Sequence, residues 1–109
     1  MTRYLISFND GDMRFPMEDL PAVAAASHAV VREAQQAGVW IFGGGVDSHD
    51  VGIVGTDGSV TETQITRHLG GFSILEVDTR AQALEWAAKI AAACRCAQEV
   101  REIMDDPDA

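Results

Sequence analysis

The fold is decided by a segment in the second half of the chain, residues 71–90, which reads GFSILEVDTRAQALEWAAKI. Its first seven residues, Gly71–Val77, carry apolar side chains on both sides of an extended backbone, as in a buried β-strand. Thr79 and Gln82 follow with the T-x-x-Q spacing of a capping box, which opens a helix. Apolar residues then recur at helical spacing. The segment therefore predicts a strand followed directly by a capped helix.

The first half of the chain shows the same order of elements. A strand is predicted over residues 3–8, a helix over residues 19–37 and a second strand over residues 39–42. Asp19 is expected to cap the helix by accepting hydrogen bonds from its free backbone N–H groups. The run Gly43–Gly45 is expected to end the second strand. Strand, helix and strand thus occur in the same order in both halves.

Between the two halves lies a predicted hairpin, with strands 52–54 and 59–61 joined at Asp57-Gly58. A last strand is predicted over residues 98–104. The order β-α-β, hairpin, β-α-β predicts an α+β domain of the ferredoxin-like plan, βαββαβ with a hairpin insertion. Right-handed crossovers place both helices on one face of the sheet.

The other sheet face is predicted to be open and apolar. Trp40 and Phe42 are expected to share one side of the second strand, and Phe72 and Ile74 share one side of the later strand. Apolar patches of this extent normally mark an interface. Two sheets packed face to face in a two-fold dimer would bury it. The sequence therefore predicts a homodimer formed through the open sheet face.

Length and charge narrow the class of protein. The 109 residues fit one domain, expected over residues 1–104, with an acidic tail at 105–109. The net charge of −9 disfavours a nucleic-acid partner, because binding a polyanion requires a basic surface. No apolar run reaches the roughly 20 residues of a membrane span, and the N-terminus lacks a signal-peptide layout. A cytoplasmic protein with no membrane partner is expected.

No cofactor or metal site is predicted. Cys94 and Cys96 stand one residue apart without the second ligand pair that a zinc site needs. Gly43–Gly45 lacks the spacing and the following helix of a dinucleotide-binding loop. His49 has aspartates on both sides in sequence, but neighbours in a loop seldom converge on one ion. These features are more typical of structural than of cofactor-binding residues.

Five polar residues are candidates for a ligand site. His28 is the candidate catalytic group, because an imidazole titrates near neutral pH and can move a proton. It is expected on the flank of the first helix, beside the sheet. Arg32, one turn further, would hold an anionic ligand. Asp10 and Asp12 end the first strand and either supply an acid to His28 or only form a turn. His68 precedes a double glycine that permits close approach of a ligand.

Four blocks of the second half carry a resemblance to a known family: Leu69-Gly70-Gly71-Phe72, Leu75-Glu76-Val77-Asp78, Ala83-Leu84-Glu85-Trp86-Ala87 and Glu99-Val100-Arg101. In order and spacing they resemble the YCII-related, or DGPF, family. The resemblance implies the dimeric α+β-barrel version of the ferredoxin-like fold. The family's name motif is absent, since the chain reads Asp57-Gly58-Ser59-Val60 in that region.

The resemblance also bears on function. Some relatives resemble muconolactone isomerases and carry a His in the first helix, matched here by His28, and an Asp near Ile90, where this chain has no acid. Two functions stay open. One is a small-molecule-binding or regulatory homodimer without catalysis. The other is a cofactor-independent isomerase or lyase for a lactone-like organic acid, with His28 as acid and base and Arg32 or Arg14 on the carboxylate.

Overall fold

The computed structural model describes residues 1–47, 51–62 and 69–109. Its strands and helices in chain order are β1 (Thr2–Asn9), α1 (Leu20–Gln36), β2 (Trp40–Gly45), β3 (Gly52–Val54), β4 (Val60–Glu62), β5 (Leu69–Val77), α2 (Arg80–Cys94) and β6 (Glu99–Glu102). A short 3-10 helix, Met17–Asp19, leads into α1. The predicted α+β class and the order of its elements are confirmed.

Four strands form an antiparallel sheet in the order β2-β5-β1-β6. In this order β5 separates β1 from β2, and β1 separates β5 from β6, which is the arrangement of the ferredoxin-like plan. The hairpin β3–β4 forms a separate two-stranded antiparallel sheet. It is the predicted insertion between the two halves.

The core lies between one face of the sheet and both helices. Ile6 of β1 and Leu75 of β5 are completely shielded from solvent, each with 0% exposure. They pack against the small side chains of Ala34 in α1 and Ala87 in α2. Alanine at these positions lets both helices approach the sheet closely, so apolar area is buried without large side chains from the helices.

Helix α2 begins with the capping box expected from the sequence. The Gln82 backbone N–H donates to Thr79 Oγ1 at 3.2 Å, and the Thr79 N–H donates to Gln82 Oε1 at 3.1 Å. The helix ends at Arg95, which adopts the left-handed conformation with φ 58°. Both ends of α2 are thus fixed by local backbone chemistry.

The expected side-chain cap of α1 is wrong. Asp19 occupies the cap position, but its carboxylate makes no hydrogen bond to the helix backbone. Instead, Asp19 Oδ2 accepts from Arg95 Nη1 at 2.8 Å. The ion pair joins the start of α1 to the end of α2, so the side chain serves tertiary packing and not local capping.

Strand β2 also differs from its prediction, because it continues through Gly43–Gly45 instead of ending before them. The pairing with β5 is irregular between Trp40 and Phe42, which leaves Ile41 out of register. Trp40 therefore pairs with Leu75 on the helix side, whereas Phe42 pairs with Ile74 on the opposite side. The prediction that Trp40 and Phe42 share one face is wrong for this reason.

The sheet face away from the helices carries an apolar pair of rings on β2 and β5. Phe42 is 62% exposed, and its ring centroid lies 5.9 Å from that of Phe72. Ion pairs between Arg3 and Glu76 and between Arg101 and Glu99 lie on β1, β5 and β6, with N···O distances of 2.9 and 2.8 Å. This face is called the open face below.

In the parts of the chain that the structure describes, neither helix combines the length and the hydrophobicity needed to cross a bilayer.

Candidate functional site

A cavity of about 530 Å³ lies between the helix side of the sheet and the two helices. Its helical wall is apolar and includes Val30 and Val31 from α1 and Ile90 and Ala93 from α2. A molecule in this cavity would make mainly apolar contacts.

The floor of the cavity is formed largely by glycine backbone. Gly43, Gly44 and Gly45 of β2 line it together with Gly70 of β5. Phe8 and Trp40 occupy space next to Gly70 and Gly43, whereas a Cβ built on Gly45 would meet no atom of the described residues within 4 Å. Sequence reasoning treated the triple glycine only as the end of a strand. A run of glycines directly after apolar strand residues was the available signal, since glycine in a strand often marks close approach of a ligand.

Two of the sequence-predicted site residues line this cavity, His28 from α1 and Asp10 from the turn after β1. His28 is exposed to solvent, which places its imidazole at the rim. The pair brings an imidazole and a carboxylate to the same apolar space. Such groups can orient a polar substituent of a ligand or exchange a proton with it.

The other basic and histidine candidates are placed differently. Arg32 lies one turn beyond His28 on α1, is exposed, and does not contribute to the cavity lining. His68 and His49 lie outside the described residues.

The turn after β1 holds Asp12 and Arg14. The Asp12 backbone N–H donates to the carbonyl of Asn9 at 3.2 Å, and Arg14 Nε donates to the carbonyl of Gly11 at 2.8 Å. Neither Asp12 nor Arg14 lines the cavity. Both instead shape the chain between β1 and the first helix.

A polar contact in the cavity joins the two helices. Ser27 Oγ and Cys94 Sγ lie 3.4 Å apart, and both residues line the cavity. Cys94 is a free, partly buried thiol. No local sequence pattern indicates this contact, because the two residues are 67 positions apart.

Cys96 differs from Cys94 in its surroundings. It does not line the cavity, and Gln98 Nε2 donates to its sulfur at 3.4 Å. Burial raises the pKa of the Cys96 thiol, and the nearby Cys94 and Asp12 raise it further. The thiol form is therefore favoured over the thiolate at this position.

Across residues 1–47, 51–62 and 69–109, no three His, Cys, Asp or Glu side chains come together in a way that could hold a metal ion.

Comparisons with known proteins identify the family of this chain. A search of curated proteins finds no match. Among solved structures, the chain is similar to 5-chloro-2-hydroxyhydroquinone dehydrochlorinase (TftG) from Burkholderia phenoliruptrix AC1100, solved in complex with 2,5-dihydroxybenzoquinone. The TM-score is 0.50 at 14% identity, and the match covers 97% of each chain. At this identity the likeness concerns the α+β-barrel fold alone. The YCII-related domain profile matches residues 2–106, so the chain belongs to the YCII-related domain family.

Proposed function

We propose that this protein binds a small, mostly apolar organic molecule in the cavity between its sheet and its helices. The observation that supports this most strongly is the cavity itself, whose volume of about 530 Å³ falls in the range of small-molecule sites. Its helical wall is mainly apolar, and four glycines contribute backbone to its floor. Water in such a space has few partners, which favours its displacement by an apolar ligand.

A few polar groups in the cavity would give the ligand its orientation. His28 lies at the rim, and Asp10 and Ser27 also line the space. A hydroxyl or carboxylate on the ligand would bind at this rim, where solvent also reaches it. The apolar body of the ligand would lie deeper, between the helical wall and the glycines. This arrangement is typical of ligand sites that combine apolar burial with a small number of polar contacts.

The second candidate function is a cofactor-independent isomerase or lyase acting on a lactone-like organic acid. The observation that favours it is that His28 and Asp10 line the same cavity. His28 would remove a proton from a carbon beside a carbonyl group and return it at another position. The similarly folded dehydrochlorinase is an enzyme, but a likeness of fold at 14% identity does not carry its reaction over.

The binding test compares wild type with His28→Ala and with Arg32→Ala. Arg32 is the matched control, because it lies on the same helix, is exposed and does not line the cavity. The panel contains benzoate, salicylate, a muconolactone and 2,5-dihydroxybenzoquinone. A ligand at 100 times its Kd stabilises a protein by about 2.7 kcal/mol. We expect a compound that raises Tm in wild type and Arg32→Ala and raises it less in His28→Ala.

If no compound in the panel changes Tm, or if both variants lose the shift equally, the proposed site is wrong. Catalysis is tested separately by incubating each bound compound in D₂O and following its carbon-bound protons by NMR. Exchange that requires His28 supports the isomerase or lyase. Binding without exchange supports the binding protein.

The active assembly that we propose is a homodimer formed through the open face. The monomer exposes 7658 Å², whereas a compact monomer of 11.7 kDa is expected to expose about 5,900 Å². The exposed phenyl ring of Phe42 lies on the open face in β2, an edge strand of the sheet, where a second copy of the sheet would cover it. Its burial would add apolar contact area to the proposed dimer interface.

Light scattering at micromolar concentration tests the dimer. We expect wild type to have the mass of a dimer and Phe42→Ser to have the mass of a monomer. Leu84→Ser is the matched control, because Leu84 is an exposed apolar residue of α2, away from the open face. Monomeric wild type contradicts the proposal, and so does equal dissociation in both variants.

A further inference from the structure

The cavity floor adjoins an aromatic ring that lies directly on glycine backbone. Phe8 of β1 packs against Gly70 and Gly71 of β5. A Cβ built on Gly71 would lie 2.7 Å from Phe8 Cε1, and one built on Gly70 would lie 2.8 Å from Phe8 Cε2. The ring therefore takes the place that side chains would occupy at both positions.

A second ring approaches glycine in the neighbouring strand. A Cβ built on Gly43 of β2 would lie 3.0 Å from Cη2 of Trp40. The Trp40 indole is on the helix side of the sheet, where it packs against the core residues and lines the cavity. Ring atoms of two aromatic side chains thus already occupy space next to glycines of β2 and β5.

Gly45 is a third glycine of this surface, and no described side chain covers it. The register pairs Gly45 with Gly71, and Gly71 with Phe8, so Gly45 belongs to the helix side of the sheet. It lines the cavity, and a Cβ built on it would meet no atom of residues 1–47, 51–62 or 69–109 within 4 Å. Among the described residues, the backbone surface next to Phe8 and Trp40 is therefore open at Gly45.

We propose that the cavity selects a planar six-membered ring, aromatic or quinonoid, which lies flat on the backbone at Gly45. This inference rests on the proposed small-molecule function and names its ligand class. A planar ring laid on backbone makes van der Waals contact over its whole face, and Phe8 shows that a six-membered ring fits next to glycines of this sheet. A saturated ring is puckered and has axial hydrogens, so it contacts the same surface at fewer atoms.

The first test uses two pairs of compounds that differ in ring planarity: benzoate with cyclohexanecarboxylate, and catechol with cis-1,2-cyclohexanediol. Affinities are measured by isothermal titration calorimetry. We expect the planar member of each pair to bind about tenfold more tightly, a difference of about 1.4 kcal/mol. Equal affinity within the pairs overturns the planar-ring inference, and so does the absence of binding by both planar members.

The second test places a side chain on the floor. Gly45→Val fills the open position, whereas Gly52→Val is the matched control. Gly52 is a strand glycine of β3 that does not line the cavity, and a Cβ built on it would make only an ordinary contact, 3.9 Å from Cγ1 of Val60. We expect Gly45→Val to weaken benzoate binding about tenfold or more and Gly52→Val to leave it nearly unchanged, because only the side chain at position 45 would occupy the surface proposed for the ring. Equal losses in the two variants overturn the role of Gly45.

Failure of this inference can be told apart from failure of the proposed function. If puckered and planar compounds bind equally and both depend on His28, the cavity is a small-molecule site without selection for planarity. If neither these compounds nor the wider panel binds, the proposed function fails as well. Circular dichroism and chemical denaturation of both valine variants confirm that each is folded before its affinity is interpreted.

Discussion

Replacing Gly43 with Ala tests the packing of β2 that creates the cavity floor. A Cβ at this position would lie 2.5 Å from the carbonyl oxygen of Phe72 and 2.9 Å from Cα of Ser73. Both are backbone atoms of β5, held by the sheet, so no side-chain rotation relieves the contact. Overpacking of this kind costs about 1–3 kcal/mol, and we expect the upper half of that range.

Gly44→Ala is the control for this prediction, because its Cβ would meet no atom within 4 Å. Glycine-to-alanine changes at unstrained positions are neutral or stabilise by up to about 1 kcal/mol. In urea denaturation at fixed protein concentration we expect Gly43→Ala to lose about 2–3 kcal/mol relative to this control. In a thermal scan that corresponds to a Tm about 10 °C lower. Equal stability of the two variants refutes the packing described for β2.

Three further predictions concern the core, a helix cap and a thiol. Ile6→Ala removes a fully buried side chain and should lower the free energy of unfolding by about 2–5 kcal/mol in urea denaturation. Thr79→Ala should cost about 1 kcal/mol through loss of the capping box of α2, whereas Thr79→Ser should cost much less because the hydroxyl remains. In Cys94→Ser, the remaining Cys96 should react with iodoacetamide at pH 8 more slowly than free cysteine, because its raised pKa lowers the thiolate fraction. The reaction rate should rise with pH. A rate equal to that of free cysteine at pH 8 contradicts this prediction.

The elements that sequence predicted correctly depend on local chemistry. Short apolar segments specify β1 and β5 whatever the partner strand is, and the capping box of Thr79 and Gln82 is complete within four residues. Gly38, at φ +75°, ends α1 as expected of a residue that tolerates the left-handed conformation. Such signals can be read without knowledge of the tertiary structure.

The features that sequence missed depend on distant partners. Asp19 has the residue type of a helix cap, but Arg95, 76 positions away, takes its carboxylate. The opposite orientations of Trp40 and Phe42 come from an irregularity in pairing with β5, which no period-two pattern reveals. In both cases a tertiary contact replaced the arrangement that the local pattern favours.

The candidate site likewise contains some features that the sequence predicted and others that depend on tertiary structure. Helical geometry correctly placed His28 on the flank of α1, and it lines the cavity. The contact of Ser27 with Cys94 could not be predicted, because it needs the packing of α1 on α2. Gly45 was visible in the sequence, but its role requires the register that pairs it with Gly71 and the empty space above it.

The most direct test of the account is a map of where a small molecule binds. Amide ¹⁵N–¹H correlation spectra of the intact protein would be recorded during titration with benzoate and, separately, with 2,5-dihydroxybenzoquinone. We expect the largest chemical-shift changes at Gly43–Gly45 and at the cavity residues of α1 and α2, Val30, Val31 and Ala93. Changes confined to the hairpin β3–β4 or to the open face, or no changes with either compound, would contradict the proposed small-molecule site in the cavity.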